Sequence, residues 1–233
     1  MKKVAFITDI HLNEPSPTVD PKQNWATIIE DLKSRKIGEV VFGGDIGDHN
    51  AHQWFFETLR PFSLKLVLGN HDNFNQVAKY YRNGHGTNEL FYTLEDSDYK
   101  YLFLDTSSTE ISPLQLTWLK AEVNSNKNLV LFIHHPIFAV DTPIDKVHPL
   151  KNRAELQPLL KATGKEITVF CGHYHMNDER TEGNIRQIIT HASSYQIVKS
   201  AKEIVTDNST FGYRIIEFDE DGIKTEEVSF GTK

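Results

Sequence analysis

Five short apolar runs in this chain each end in residues able to bind a metal. Residues 4–8, Val-Ala-Phe-Ile-Thr, lead into Asp9, Ile10 and His11. Residues 40–42 lead into Gly43, Gly44 and Asp45, with Asp48 close behind. Residues 66–68 lead into Gly69, Asn70, His71 and Asp72. Residues 129–133 lead into His134 and His135, and residues 167–171 into Gly172, His173, Tyr174 and His175. Runs of this length fit buried strands. One such junction carries little meaning. Five imply that strands deliver Asp, Asn and His to one edge of a sheet, where ligands sit in sheets packed by helices.

The donor set contains carboxylate and imidazole but no thiolate. Cys171 is the only cysteine, so a sulfur cage is excluded. Oxygen and nitrogen donors suit manganese, iron or zinc. One ion takes about four to six ligands, water included. The strand ends offer Asp9, His11, Asp45, Asn70, His134, His173 and His175. That is too many for one open catalytic ion and about right for two sharing a carboxylate. In extended backbone, residues i and i+2 face the same side. Both members of Asp9-x-His11, and of His173-x-His175, are therefore expected to reach one centre.

The 233 residues fit a single domain, 1–233, with a sizeable core. A net charge of −7 and the lack of a long basic run argue against a nucleic-acid-binding face. The apolar start gives way to Asp9 too early for an export signal. No run approaches the ~20 apolar residues of a membrane span. A lone cysteine leaves no intrachain disulfide, which fits a reducing cytoplasm.

Strands alternate with helical segments through most of the chain. Trp25, Ile28, Ile29 and Leu32 recur at helical spacing. Residues 51–59, 73–82 and 152–162 are further helix candidates, and Ser112 and Pro113 open another as N-cap and first residue. Residues 89–95 and 99–105 read as strands, and 135–150 as a Pro-rich loop. Later come short strands over 185–191, 194–199, 211–218 and 223–229, with a hairpin turn at 219–222. Alternating units followed by antiparallel strands predict an α/β (α+β) fold of two packed mixed sheets flanked by helices. His49, His52 and His148 read as solvated, and Trp54, Phe55 and Phe56 as helix core.

In this order, Asp9-x-His11, Gly44-Asp45-x-x-Asp48, Gly69-Asn70-His71-Asp72, His134 and Gly172-His173-x-His175 resemble the calcineurin-like metallophosphoesterase superfamily. The resemblance implies a four-layer αββα sandwich. It assigns Asp9, His11 and His175 to one ion and Asn70, His134 and His173 to a second, with Asp45 bridging. A water between two such ions loses its proton near neutral pH and can attack phosphorus. The resemblance places His71 at the leaving oxygen and gives Asp48 the task of holding it. Asn70 and His71 are then substrate contacts, with His85 and His135 as further candidates.

A second layer resembles the class III cyclic-nucleotide phosphodiesterase branch. It comprises Leu104-Asp105-Thr106-Ser107, residues 112–119 and His134-His135-Pro136. The implied function is hydrolysis of a small nucleotide, such as a 3′,5′-cyclic nucleotide, by a cytoplasmic enzyme without nucleic-acid or membrane partners. A homodimer is suggested by analogy with relatives. The alternatives are a phosphomonoesterase or a pyrophosphatase on nucleotides or lipid precursors, and last a non-catalytic scaffold. Residues 6–12 are also similar to lipid-A precursor pyrophosphatases, but those carry Arg where this chain has His71. No donor position is missing, which argues against the scaffold.

Overall fold

The computed structural model describes residues 2–14, 19–84 and 88–232. His85 therefore lies outside the described residues. The first half of the chain holds β1 (Lys2–Ile7), α1 (Pro21–Ser34), β2 (Glu39–Phe42), α2 (His52–Thr58), β3 (Ser63–Leu66) and α3 (Phe74–Val77). The middle holds β4 (Tyr92–Glu95), β5 (Tyr99–Leu104), α4 (Pro113–Glu122), β6 (Asn128–Ile133), α5 (Pro143–Val147), α6 (Arg153–Lys161) and β7 (Ile167–Cys171). The chain ends with β8 (Asp178–Glu182), β9 (Ile185–Ile189), β10 (Gln196–Ile197), β11 (Thr206–Asp207), β12 (Thr210–Asp219) and β13 (Gly222–Gly231).

One sheet runs β13-β12-β1-β2-β3 and the other β4-β5-β6-β7-β9-β8. In the first, β1, β2 and β3 are parallel, and β12 and β13 add an antiparallel flank. In the second, β5, β6, β7 and β9 are parallel between antiparallel edges β4 and β8. Both sheets are therefore mixed, as the sequence predicts.

Alternation along the strands makes the layers. Tyr101, Phe103, Val130, Phe132 and Phe170 face the first sheet, while Leu102, Leu104, Leu129, Leu131 and Val169 join a second core with Leu119, Leu156 and Leu160 of α4 and α6. Successive side chains of a strand point to opposite faces, so one strand serves two cores. Phe6 of β1 meets Phe132 at 5.8 Å and Phe170 at 6.1 Å between ring centroids, which joins the two sheets. On the outer face of the first sheet, Phe42 packs on Trp25 of α1 and Phe55 of α2.

The local signals largely set the helices. Asp20 accepts N–H bonds from Lys22 and Gln23 at the start of α1, and Ser112 accepts from Gln115 at the start of α4. Residues 73–82 form less helix than predicted. Only Phe74–Val77 is helical, and within 73–82 only Val77 and Tyr81 are buried apolar residues. The Pro-rich segment, expected as loop throughout, contains α5. The strand β8 gave no periodic signal. It is a polar edge whose Glu179 pairs with Arg186 of β9, and charge on an edge discourages pairing with another sheet. His52, expected in solvent, is buried on α2. Among the described residues no helix is long and apolar enough to cross a membrane.

Candidate metal centre

The carboxyl ends of β1, β2, β3, β6 and β7 meet at one edge where the two sheets face each other. There the backbone does not stay extended. Asp9, His11, Asp45, His173 and His175 have φ of 58°, 50°, 62°, 67° and 48°. The left-handed region costs a non-glycine residue roughly 1–2 kcal/mol. This corrects the expectation of extended Asp-x-His and His-x-His units. Each strand stops before its donors, and the chain curls off the sheet edge. Neighbouring loops hold the curls: Asp9, His11 and Leu12 donate N–H bonds to the carbonyls of Gly44, Asp45 and Ile46 at 2.9, 3.1 and 2.8 Å. Strain of this kind clusters at functional sites and persists where surrounding bonds over-determine it. Two glycines allow the close approach. A Cβ on Gly44, whose φ is 98°, would lie 2.6 Å from the Gly69 nitrogen, and one on Gly172 would lie 2.4 Å from Asp9 Oδ2.

Two buried donor groups result, and a third set joins His11 and Asp45 to the exposed His71. Asp9, His11 and His175 converge in one buried group, and Asp45, His134 and His173 in the other. His11 Nε2 and His175 Nε2 are 3.0 Å apart. Asp9 Oδ1 lies 3.4 Å from His175 Nε2 and 3.9 Å from His134 Nε2. Asp45 Oδ2 lies 3.2 Å from His134 Nε2 and 3.6 Å from His11 Nε2, so it reaches both groups.

The far side of each group is already anchored. His134 Nδ1 donates to the Gly43 carbonyl at 2.8 Å, and His175 Nδ1 to that of Tyr195 at 2.8 Å. His173 Nε2 donates to the His148 carbonyl at 2.8 Å, which leaves its Nδ1 free. Asp9 Oδ2 accepts from Thr8 Oγ1 at 2.6 Å and from the His173 N–H at 3.1 Å. By contrast, Asp9 Oδ1, Asn70 Oδ1 and His134 Nε2 are buried and make no hydrogen bond. Each such atom costs about 1–3 kcal/mol if left unsatisfied. Asp9 Oδ1 and His134 Nε2, 3.9 Å apart with the opposite edges of both side chains fixed, fit metal ions.

The electrostatics agree with that fit. Burial opposes charge on Asp9, but His175 and His134 bring its pKa well below the ordinary carboxylate value. Burial likewise opposes a charged His134, yet Asp45 and Asp9 raise its pKa to about 9. His173 goes the other way, down to about 3, through burial and the neighbouring His134.

Other predicted residues fall in different places. His71 sits at the exposed rim, its ring centroid 4.7 Å from that of His11. The expected Asp48–His71 pairing is not formed. Asp48 instead caps a short 3₁₀ turn, His49–Ala51, accepting from Asn50 N at 3.0 Å. His71 Nδ1 is hydrogen-bonded to Glu14 Oε1 at 2.8 Å. Glu14 follows Asn13, whose φ of 58° turns the chain back toward His11. His135, a candidate substrate contact, is fully buried, bonded to Thr106 and packed 4.0 Å from the His173 ring centroid. It backs the site and does not face the cleft.

Asp72 carries more than the sequence reading gave it. Its carboxylate accepts N–H bonds from Asp45, Ile46 and Gly69 at 2.8, 2.8 and 2.9 Å. Burial and the Asp45 charge nonetheless push its pKa up to about 7. Its position directly after His71 was the available signal. Glu14 had none, because its role depends on the left-handed turn at Asn13. A cleft of about 230 Å³ opens beside His71, lined by Glu14, His49, His52, Asn73 and Gln76 among others. A larger surface depression, about 1080 Å³, lies at the opposite ends of the strands, around Lys2, Tyr99 and Asn128, and holds none of these donors.

The calcineurin-like phosphoesterase family model matches residues 2–177. The chain belongs to that family. It is a metal-dependent phosphoester hydrolase. Calcineurin-like phosphoesterases use dinuclear metal centres, in keeping with the two donor groups. The chain is 25% identical over 245 residues to the 3′,5′-cyclic adenosine monophosphate phosphodiesterase CpdA of Escherichia coli, covering 97% of this chain and 88% of the relative. It is 21% identical over 244 residues to a 3′,5′-cyclic-nucleotide phosphodiesterase of Nostoc, covering 97% of this chain and 91% of the relative. Among solved structures, a dimetal phosphatase from Danio rerio superposes with a TM-score of 0.73 at 12% identity, covering 99% and 98% of the two chains. That likeness extends the family's fold to the whole chain, β12 and β13 included.

Proposed function

We propose that this phosphoesterase is a phosphodiesterase that opens a 3′,5′-cyclic nucleotide. The observation that carries the reading is the complete donor set joined to a half-exposed histidine held by a carboxylate at its rim. The two phosphodiesterase relatives, matched over nearly their whole length, support the substrate class.

Asp9, His11 and His175 would hold one ion and Asn70, His134 and His173 the other, with Asp45 shared. The metals are manganese, iron or zinc. When bound, two such cations neutralise a phosphate and acidify a water. The chain's own residues do the rest. Asn70 Oδ1 is buried without a hydrogen bond, and its loop is fixed because the His71 N–H donates to Asp45 Oδ1 at 2.9 Å. His71 Nδ1 is taken by Glu14, so Nε2 is the atom that carries a proton to substrate. The Glu14 hydrogen bond raises the His71 pKa against burial. Hydrolysis breaks a bond from phosphorus to a ribose oxygen, a poor leaving group, and His71 protonates that oxygen as it departs.

The proposal extends to a cytoplasmic homodimer acting as a single domain over residues 1–233, without nucleic-acid or membrane partners. Donors drawn from both sheets support the single domain.

The test is a substrate panel with manganese-loaded protein: cyclic nucleotides, a bis-aryl phosphate and a mono-aryl phosphate. The expected result is a nucleoside monophosphate from the cyclic nucleotide. Cleavage of the monoester alone, or no cleavage of any substrate, contradicts the reading. His71→Ala should keep both metals and lose about 10²–10⁴-fold in turnover, least with aryl leaving groups. Equal loss on all substrates, or loss of metal, counts against the acid role.

A further inference from the structure

We infer that Glu14 is the positioning residue of this centre, one carboxylate that orients both the metal-binding His11 and the leaving-group acid His71. The inference rests on the phosphodiesterase reading above and adds a residue to it. Glu14 Oε2 lies 2.7 Å from His11 Nδ1, and Oε1 lies 2.8 Å from His71 Nδ1. Each oxygen serves one ring. A carboxylate only accepts, so both Nδ1 atoms carry hydrogen in this arrangement. Each Nε2 is then the nitrogen left for function. For His11 that atom faces the donor cluster, 3.6 Å from Asp45 Oδ2 and 3.8 Å from Asp9 Oδ1. For His71 it is the atom that meets substrate. Carboxylates that hold the far nitrogen of a metal-binding histidine fix its tautomer and ring plane.

The rest of the neighbourhood points the same way. The two rings stand edge to face at 82°, so the carboxylate spans them like a bracket. The φ values of His11 and Asn13, 50° and 58°, fold the chain back so that Glu14 reaches a ring three residues earlier. Asp48, the carboxylate that the motif pattern offers for His71, is engaged by Asn50 N and Asn50 Nδ2 at 3.0 and 3.1 Å and by His49 Nδ1 at 3.3 Å. One side chain thus ties the placement of the acid to the placement of an ion.

The test compares Glu14→Ala, Glu14→Gln and Asp48→Asn in the full chain, with manganese titration by calorimetry as one readout and leaving-group dependence as the other. Glu14→Ala should weaken binding of one of the two ions by about 10–100-fold. It should lower kcat by about 10²-fold on a cyclic nucleotide and much less on a bis-aryl phosphate, with KM moving less than kcat. Glu14→Gln has one acceptor oxygen and can serve one ring, so it should fall between wild type and Glu14→Ala. It preserves size and carries the test if the alanine variant does not fold. Manganese binding and a leaving-group profile unchanged from wild type in both Glu14 variants would overturn the inference. So would a larger leaving-group-selective loss from Asp48→Asn than from Glu14→Ala. If wild type fails to open any cyclic nucleotide, the substrate reading falls, while the manganese titration still decides the role of Glu14.

Discussion

Replacing Asp72 by alanine should destabilise the protein even with no metal bound. Its carboxylate holds three backbone N–H groups, those of Asp45, Ile46 and Gly69. Asp45, Ile46 and Gly69 are buried, so water cannot readily replace the lost acceptor. A buried donor left unpaired costs about 1–3 kcal/mol. Three of them, discounted because Asp72 itself is only partly shielded, give a loss of roughly 3–6 kcal/mol. In a chain of this size that lowers the melting temperature by about 10–20 °C. Asp72→Asn keeps the shape and one oxygen, and the pKa of Asp72 is already raised to about 7, so the charge matters less than the acceptor. Its cost should be about 1–2 kcal/mol. The assay is urea unfolding in excess chelator, which removes any contribution from bound ions. An Asp72→Ala protein within about 1 kcal/mol of wild type under those conditions would refute the reasoning, because one unsatisfied donor alone costs that much.

Three further outcomes follow from the same geometry. Gly172→Ala should cost metal affinity more than stability, since the new Cβ would stand 2.4 Å from Asp9 Oδ2; wild-type manganese affinity would contradict this. Phe132→Ala should cost about 3–5 kcal/mol while leaving metal stoichiometry intact, because Phe132 packs between Phe6, Phe103 and Phe170 in the inter-sheet core; a urea-measured loss below about 1 kcal/mol would count against that packing. Manganese uptake should release protons at pH 7.5. His134, raised to about 9, is charged there and must lose a proton to bind, and the raised pKa of His11 acts in the same direction. Affinity should therefore rise with pH up to about 9. Calorimetry in buffers of different ionisation heat measures the release, and a value of zero would contradict the charge state.

Much of the fold was legible because two periodicities dominate it. Residues such as Phe103 and Leu104 alternate between two cores, and Trp25, Ile28, Ile29 and Leu32 mark one helix face. The seven candidate donors stood out because each lies just past an apolar run, where an unpaired polar group is costly. What was not legible depends on backbone sign or on partners far along the chain. Asp and His tolerate positive φ better than most residues, but nothing local at Asp9 or His173 requires it. The strand β8 is polar on both faces and exists because β9 offers it an edge. His71 takes its carboxylate from Glu14, 57 residues earlier, and the nearer motif candidate, Asp48, turns to its own loop. Motif spacing singles out His71 but not the carboxylate paired with it.

The central claim is that seven side chains from both sheets hold two ions. The direct measurement is metal content per chain after saturation with manganese and removal of free ion, set beside the Asp45→Asn variant. The account predicts two ions per chain in wild type and fewer in the variant, since Asp45 Oδ2 reaches donors of both groups. A wild-type chain that saturates at one ion, or an Asp45→Asn chain that still holds two with equal affinity, would contradict it.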